Sequence, residues 1–221
     1  VCAESAAPYV APFAVLIALL AVRDYIPVPR AYSYGLRTAI VAAALVIVSR
    51  RVVQLRPVRA LESIALGAGV FAVWITPDIL AHDWRAHWAF ANGLFGRAAS
   101  SVPPSDRHNA VFLVSRIAGS ALLVPIVEEL FWRSFLLRWL SRHPFWTAPL
   151  NRPTVFAFCM SAVLFASEHG SYWDVGLIAG FVYNYWMVRT GSLADCILAH
   201  AVTNACLAAY VLMANRWEFW L

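Results

Sequence analysis

The stretch LLVPIVEELFWRSFLLRWL, Leu122 to Leu140, sets two glutamates and two arginines into an otherwise apolar run. A helix of about 20 mostly apolar residues crosses the hydrocarbon core of a bilayer. A charge at its centre costs about 2.5–3.5 kcal/mol on insertion scales. The run is therefore either a membrane span with a reason to carry charge or a helix of a soluble core. The rest of the chain decides. Charged residues make up 13% and hydrophobic residues 62%, against roughly 25% charged in soluble domains. Uncharged runs extend over Ser5–Val22, Thr38–Ser49, Ser63–Pro77, Pro153–Ser167, Val175–Val188 and Cys196–Asn215. Flanking arginines extend the shorter ones by snorkelling. A soluble core hides one or two such helices, not six.

The predicted fold is all-α, a polytopic transmembrane bundle of about seven spans, with six to eight compatible. The expected spans are Pro8–Val22, Leu36–Ser49, Leu61–Ile75, Ile117–Leu140, Thr154–Ser167, Val175–Val188 and Leu193–Met213. Residues 1–110 read as N-terminal membrane helices plus an interfacial segment, and 111–221 as the helical core that carries the chemistry. In the long polar connection from Asp78 to His108, ILAHDWRAHWAFANGLF spaces its aromatics for an amphipathic helix lying in the interface, and SSVPPSD breaks it. No internal repeat is present.

All 17 basic residues are arginine, and the net charge is +5. No basic run is interleaved with aromatics as single-strand nucleic-acid binding requires, so nucleic acid is excluded as a partner. The arginines gather between apolar runs, as in SRRVVQLRPVRALE, where they meet anionic headgroups. With the N-terminus inside, eight loop arginines lie inside and seven outside, which leaves the orientation open. Trp74, Trp84, Trp88, Trp217 and Trp220 fall near span ends and are expected in interfacial belts. Cys2, Cys159, Cys196 and Cys206 form no CxxC pair and read as buried, inert thiols. The first apolar run lacks a basic n-region and reads as a span rather than a cleaved signal. A start at Val1 reads as the edge of a longer chain. The expected setting is a multi-pass protein of the bacterial inner membrane.

Ionisable groups inside spans are functional-site candidates by default. Glu129 and Arg133 are i,i+4 with the acid first, the better order for an ion pair. Glu128 is rotated about 100° from Glu129. The pair thus divides: Glu129 neutralised by Arg133, Glu128 left for a cavity. The competing reading is a structural clamp in which Arg133 serves both acids. His200 and Asn204 share one helix face, either as interhelical glue worth about 1 kcal/mol or as part of a site. Consecutive spans alternate in direction, so Glu128, His169 and His200 can converge on one wet cavity. There Glu would activate a water, and His and Asn would donate to a developing oxyanion. Gly176 and Gly180 read as close helix packing, Asn184 as a bond to a neighbour, and Asp174 and Asp195 as loop or cap residues. Pro125, one turn before Glu128, is expected to free a carbonyl toward the site. Ser120 and Ser161 lack an acid–His relay.

EELFWR (Glu128–Arg133) fits EExxxR, FASEH (Phe165–His169) fits FxxxH, and HAVTN (His200–Asn204) fits HxxxN. With TGSLADCILAHAVTN around the third, residues 115 to 210 resemble the CPBP family of intramembrane proteases, named for CAAX and bacteriocin processing and also called Abi. The resemblance implies a CAAX-protease-like core that hydrolyses peptide bonds inside a membrane cavity. Under it, Glu128 activates the water, His169 helps hold it, His200 and Asn204 stabilise the oxyanion, and Glu129 and Arg133 support the site. No cofactor is certain. The chain has no HExxH zinc motif, but Glu128, His169 and His200 are three N/O donors that can ligate zinc with one position open. The implied partners are the bilayer and a membrane-anchored substrate, prenylated at a CAAX-type end or carrying a leader or sorting signal; the oligomeric state is open. The alternative is a non-enzymatic scaffold or regulator, or a proton-coupled transporter using the same Glu/His cluster.

Overall fold

The computed structural model describes residues 4–25 and 28–220, with the backbone alone at Asp24, Arg30 and Ala31; Cys2 lies outside the described residues. Seven helices appear among them where the apolar runs place them. They are α1 (Ala7–Ala21), α2 (Arg30–Ala44, continued by a π-helical turn over Leu45–Ser49), α3 (Ala60–Leu80), α4 (continuous over Ala110–Trp139), α5 (Val155–Ser167), α6 (Trp173–Thr190) and α7 (Leu193–Ala214). Their ends follow local chemistry. The side chains of Asn109, Thr154 and Ser192 accept from the backbone N–H three residues on and cap α4, α5 and α7, as polar N-caps do. Gly191 closes α6 in the left-handed region (φ 64), where glycine carries no Cβ penalty. Among the described residues four helices are long and apolar enough to cross a membrane: Tyr32–Ser49, Ala60–Leu80, Ala110–Trp139 and Leu193–Ala214. Helices α1 and α5 are apolar but shorter.

α4 departs most from regular geometry. Two π-helical stretches interrupt it, Gly119–Leu123 and Leu130–Leu136, on either side of Val124–Glu129. Such turns cluster at functional sites because they shift the register of side chains and loosen backbone bonds. Pro125 has no N–H to return to the preceding turn. The carbonyl of Ser120, five residues earlier, instead accepts from Asn204 Nδ2 at 2.8 Å. The carbonyl expected near Pro125 is therefore tied to the HxxxN asparagine.

α3 and α7 lie against each other along their lengths. A Cβ built on Gly67 would stand 2.3 Å from the Ala199 carbonyl oxygen and 2.9 Å from Val202 Cβ. The Thr203 hydroxyl donates to the Gly67 carbonyl at 2.8 Å. Asp195, fully buried, holds the far end: its carboxylate accepts from the N–H groups of Val58 and Arg59 (3.1 and 2.8 Å) and from Ser63 Oγ at 3.1 Å. It is a cap, as expected, but of α3 rather than of its own helix. Gly67→Ala should separate the two helices and cost about 1–3 kcal/mol, the usual range for overpacking. A lowered thermal unfolding midpoint in detergent checks this; an unchanged midpoint contradicts it.

Three expectations are corrected. The connection after α3 forms no amphipathic helix: α3 itself runs to Leu80, and 3₁₀ turns follow at Trp84–Ala86 and Pro104–Asp106. The segment instead folds over the ends of α5 and α6. Trp173 Nε1 donates to Ala89 O at 3.0 Å, and buried Arg85 bonds Asp78, Asp174 and the Ser171 carbonyl. An ion-pair hub thus satisfies polar groups that an amphipathic helix would have presented to headgroups. Trp217 and Trp220 are not belt residues. They are 6% and 4% exposed, packed with Phe112, Tyr172 and Phe219, because the chain after α7 turns back onto the bundle. Among the described thiols only Cys196 is buried; Cys159 is on the outer face, and Cys206 is intermediate.

Candidate active site

The first acid of α4 and the second go different ways. Glu129 is fully buried, and its Oε1 accepts from Arg133 Nη1 at 3.1 Å and from His200 Nδ1 at 2.9 Å. Arg133, about 1% exposed in its side chain, lies over the rings of Phe165 (4.4 Å) and Tyr183 (5.3 Å) and reaches the Gly180 carbonyl at 3.4 Å. Aromatic faces and a carboxylate together make a buried guanidinium tolerable. The expected Glu129–Arg133 pair is thus present, and it has a third member, His200, which local spacing did not reveal.

Glu128 faces a cavity of about 300 Å³ that is also lined by His169, His200, Asn204 and Ser120. Its Oε2 is buried and has no hydrogen-bond partner among the described residues. The residues singled out by the three motifs therefore meet: four on the cavity wall, and Glu129 and Arg133 directly behind it.

Both histidines are oriented through the same ring nitrogen. His169 Nδ1 lies 2.8 Å from the Phe165 carbonyl oxygen, which can only accept, so Nδ1 carries the proton. His200 Nδ1 likewise donates to the Glu129 carboxylate. In each neutral ring Nε2 is then the lone-pair nitrogen. For His169 this suits a group that accepts from a water. For His200 it sharpens the expectation: the ring can donate from Nε2 only when it carries a second proton, and the carboxylate of Glu129 stands ready to balance that charge.

Aromatic side chains and a glycine fix these rings, Phe165 alone among them holding a motif position. Tyr183 stacks on His200 (centroids 5.1 Å apart, 22°) and donates to Thr203 Oγ1 at 2.7 Å. Trp74 packs edge-on to His169 at 5.2 Å, and Phe165 lies 4.7 Å from it. Gly176 leaves space for the same side chain, since a Cβ there would sit 3.2 Å from Cβ, Cγ and Nδ1 of His169. Gly180 packs against Ala162, so the GxxxG pair is the close-packing feature expected. Asn184 Nδ2 donates to Phe158 O (2.8 Å) and Ser161 Oγ (2.9 Å), a bond to a neighbouring helix. Trp74, expected in an interfacial belt, instead packs against His169 and Tyr172 in the cavity wall. The contribution of Tyr183 had no local signal.

Among the described residues no three His, Cys, Asp or Glu side chains are grouped closely enough to hold one metal ion. Glu128, His169 and His200 share a cavity without forming such a set.

The fold and this cavity define a class: an integral membrane helical bundle with an acid, two histidines and an amide meeting inside it. Residues 110–206 match the family model described as type II CAAX prenyl endopeptidase Rce1-like, a model of the CPBP family. The match spans α4 through most of α7 and contains every motif residue. A curated relative from Bacillus subtilis (strain 168), named uncharacterized protein YyaK, is 32% identical over 120 residues. That alignment covers 48% of this chain and 38% of the relative, so the chain spans well under half of the relative's length. No solved structure matches.

Proposed function

We propose that the protein is an intramembrane endopeptidase that uses Glu128 to activate a water. The observation that carries this reading is the buried Glu128 Oε2, without a hydrogen-bond partner among the described residues, in a cavity it shares with two histidines pinned through Nδ1. Water bound between Glu128 and His169 Nε2 gives its proton to Glu128 as its oxygen attacks the peptide carbonyl carbon. The oxygen of that carbonyl becomes negative and is met by Asn204, which keeps one amide hydrogen after bonding Ser120, and by protonated His200. Donors placed where charge develops supply the largest share of such catalysis. When the tetrahedral adduct collapses, the C–N bond breaks and the proton on Glu128 passes to the leaving amine. Glu129 and Arg133 hold His200 and balance its charge.

The substrate class follows from the setting: a membrane-associated protein or peptide that brings a peptide bond into a cavity between helices, in a bacterial inner membrane. The deciding experiment compares membrane peptides by mass spectrometry in cells producing the wild-type protein or Glu128→Gln. Peptides with new termini that depend on Glu128 are expected. Identical peptide sets overturn the reading. Proton-coupled uptake lost in Glu128→Gln, without any change in peptides, would transfer the same cluster to transport.

The donor geometry gives a further expectation. Treating the purified protein with 1,10-phenanthroline should leave peptide cleavage within about twofold, because a catalytic zinc needs three converging protein ligands. Loss of cleavage that is restored by added zinc contradicts this.

A further inference from the structure

Successive helices run in opposite directions, so their ends gather on two faces of the bundle. The first face carries the start of α1, the end of α2 and the start of α3, with the end of α4 and the start of α5. It also carries the end of α6 and the start of α7. Bonds between these ends fix the grouping. Ser49 Oγ donates to Pro8 O, and the Thr154 N–H donates to Ser141 Oγ at 3.1 Å. Asp195 on α7 accepts from the N–H groups of Val58 and Arg59 before α3. The opposite ends meet on the second face, where Arg85 joins Asp78 to Asp174 and the Ser101 N–H donates to Trp220 O at 2.9 Å.

The loop arginines are nearly even in number between these faces, but the folded surfaces differ. On the first face Arg50, Arg51, Arg56, Arg142, Arg152 and Arg189 are exposed, against exposed Glu4 and Glu62. On the second, the exposed arginines among the described side chains are Arg23 and Arg97, matched by exposed Asp83 and Glu168. Other arginines of that end are engaged within the protein. Arg85 holds its ion-pair hub, Arg216 pairs with Glu218, and Arg107 lies 5.1 Å from the Trp217 ring centroid. Arg37 and Arg116 also have partners of their own. Surplus positive charge is therefore presented on the first face alone.

The cavity runs toward the other face. From Glu128 and His200 its wall passes Thr38 and Trp74 to Leu20, near the end of α1, and Glu168, just past α5. Toward the arginine face it is closed. Glu129 and Arg133 stand behind it, and Leu130, Leu137, Met187 and Ala199, all fully buried, fill the bundle there. The cytoplasmic leaflet of an inner membrane is anionic, and the membrane potential is negative inside. Both draw surplus arginine to the cytoplasmic side.

We propose that the arginine face lies at the cytoplasmic leaflet and that the active-site cavity opens on the opposite side of the membrane. Its substrate is then a membrane-associated segment that has already been translocated, and the step that must precede cleavage is export of that segment. What happens in the cavity rests on the Glu128 reading and on the inner-membrane setting. The charge asymmetry and the direction of the cavity do not depend on Glu128.

The test places single cysteines in the full chain and treats intact cells with a membrane-impermeant thiol reagent. Gly93→Cys reports the second face, Thr38→Cys the cavity wall and Arg56→Cys the arginine face. Each variant is compared with the parent chain and with opened cells. In intact cells Gly93→Cys and Thr38→Cys should label about tenfold more than Arg56→Cys, which should label fully once the cells are opened. The reverse pattern overturns the proposal, as does equal labelling of both faces or labelling of Thr38→Cys only in opened cells. A synthetic copy of a segment cut in a Glu128-dependent manner, carrying a sulfonated dye, is then added to spheroplasts. Cleavage by intact spheroplasts at the rate of opened ones is expected, and cleavage only after opening overturns the outward cavity. If no peptide depends on Glu128 while the labelling pattern holds, the Glu128 reading fails and the orientation stands.

Discussion

Glu128→Gln should lower kcat for peptide hydrolysis by about a thousandfold, while the protein unfolds at the wild-type temperature. Glutamine keeps the volume and an acceptor oxygen but cannot take a proton from water. Loss of a general base typically removes a factor of about 10²–10⁴. Stability should be spared because the buried Oε2 has no hydrogen-bond partner among the described residues. Replacing that oxygen therefore breaks no hydrogen bond to them and removes a carboxylate from a poorly solvated site. Folding and catalysis are thus separable at this one position. Single-turnover and steady-state measurements on one cleaved peptide, paired with thermal unfolding in the same detergent, decide it. Turnover within about tenfold of wild type would remove Glu128 from the reaction.

The bundle was legible because membrane spans are written in composition. Each of the seven helices overlaps an expected span, although α2 and α4 begin at Arg30 and Ala110, ahead of the expected Leu36 and Ile117. The failures lie where one composition serves two environments. Trp217 and Trp220 near a span end suit a headgroup belt and a core equally, and only the chain reversal after α7 buries them. The aromatic segment after α3 likewise suits an interfacial helix, and the Arg85 hub instead draws it over the helix ends.

The candidate site was legible where partners are local. The i,i+4 spacing gave the Glu129–Arg133 pair and the shared face of His200 and Asn204. It could not give the bond from His200 to Glu129, which joins residues 71 apart, because packing between helices is not written in either helix alone. Nor could it show that Asn204 already bonds the carbonyl of Ser120. The motifs single out both histidines; their common Nδ1 anchoring, which fixes what each Nε2 can do, needed the tertiary structure.

The buried triad behind the cavity gives the second large effect. Arg133→Gln leaves the Glu129 carboxylate in the core with His200 as its remaining partner. Glu129→Gln leaves the Arg133 guanidinium over Phe165 and Tyr183 with a long bond to Gly180 O. Breaking one side of a buried ion pair costs about 3–5 kcal/mol, most of it the uncompensated charge that stays behind. Combining the two substitutions removes both charges, so the double variant should be more stable than the sum of the single losses implies, with a coupling of about 2 kcal/mol. Activity should not recover in parallel. In the double variant His200 Nδ1 can still donate to the amide oxygen that replaces the carboxylate, so the ring keeps its orientation, but the charge that balances a protonated His200 is gone. Recovered folding with persistently low kcat therefore assigns Glu129 to the charge on His200. If stability and kcat return together, the pair is a clamp and nothing more. Additive losses in the unfolding cycle would mean that Glu129 and Arg133 do not act as a pair.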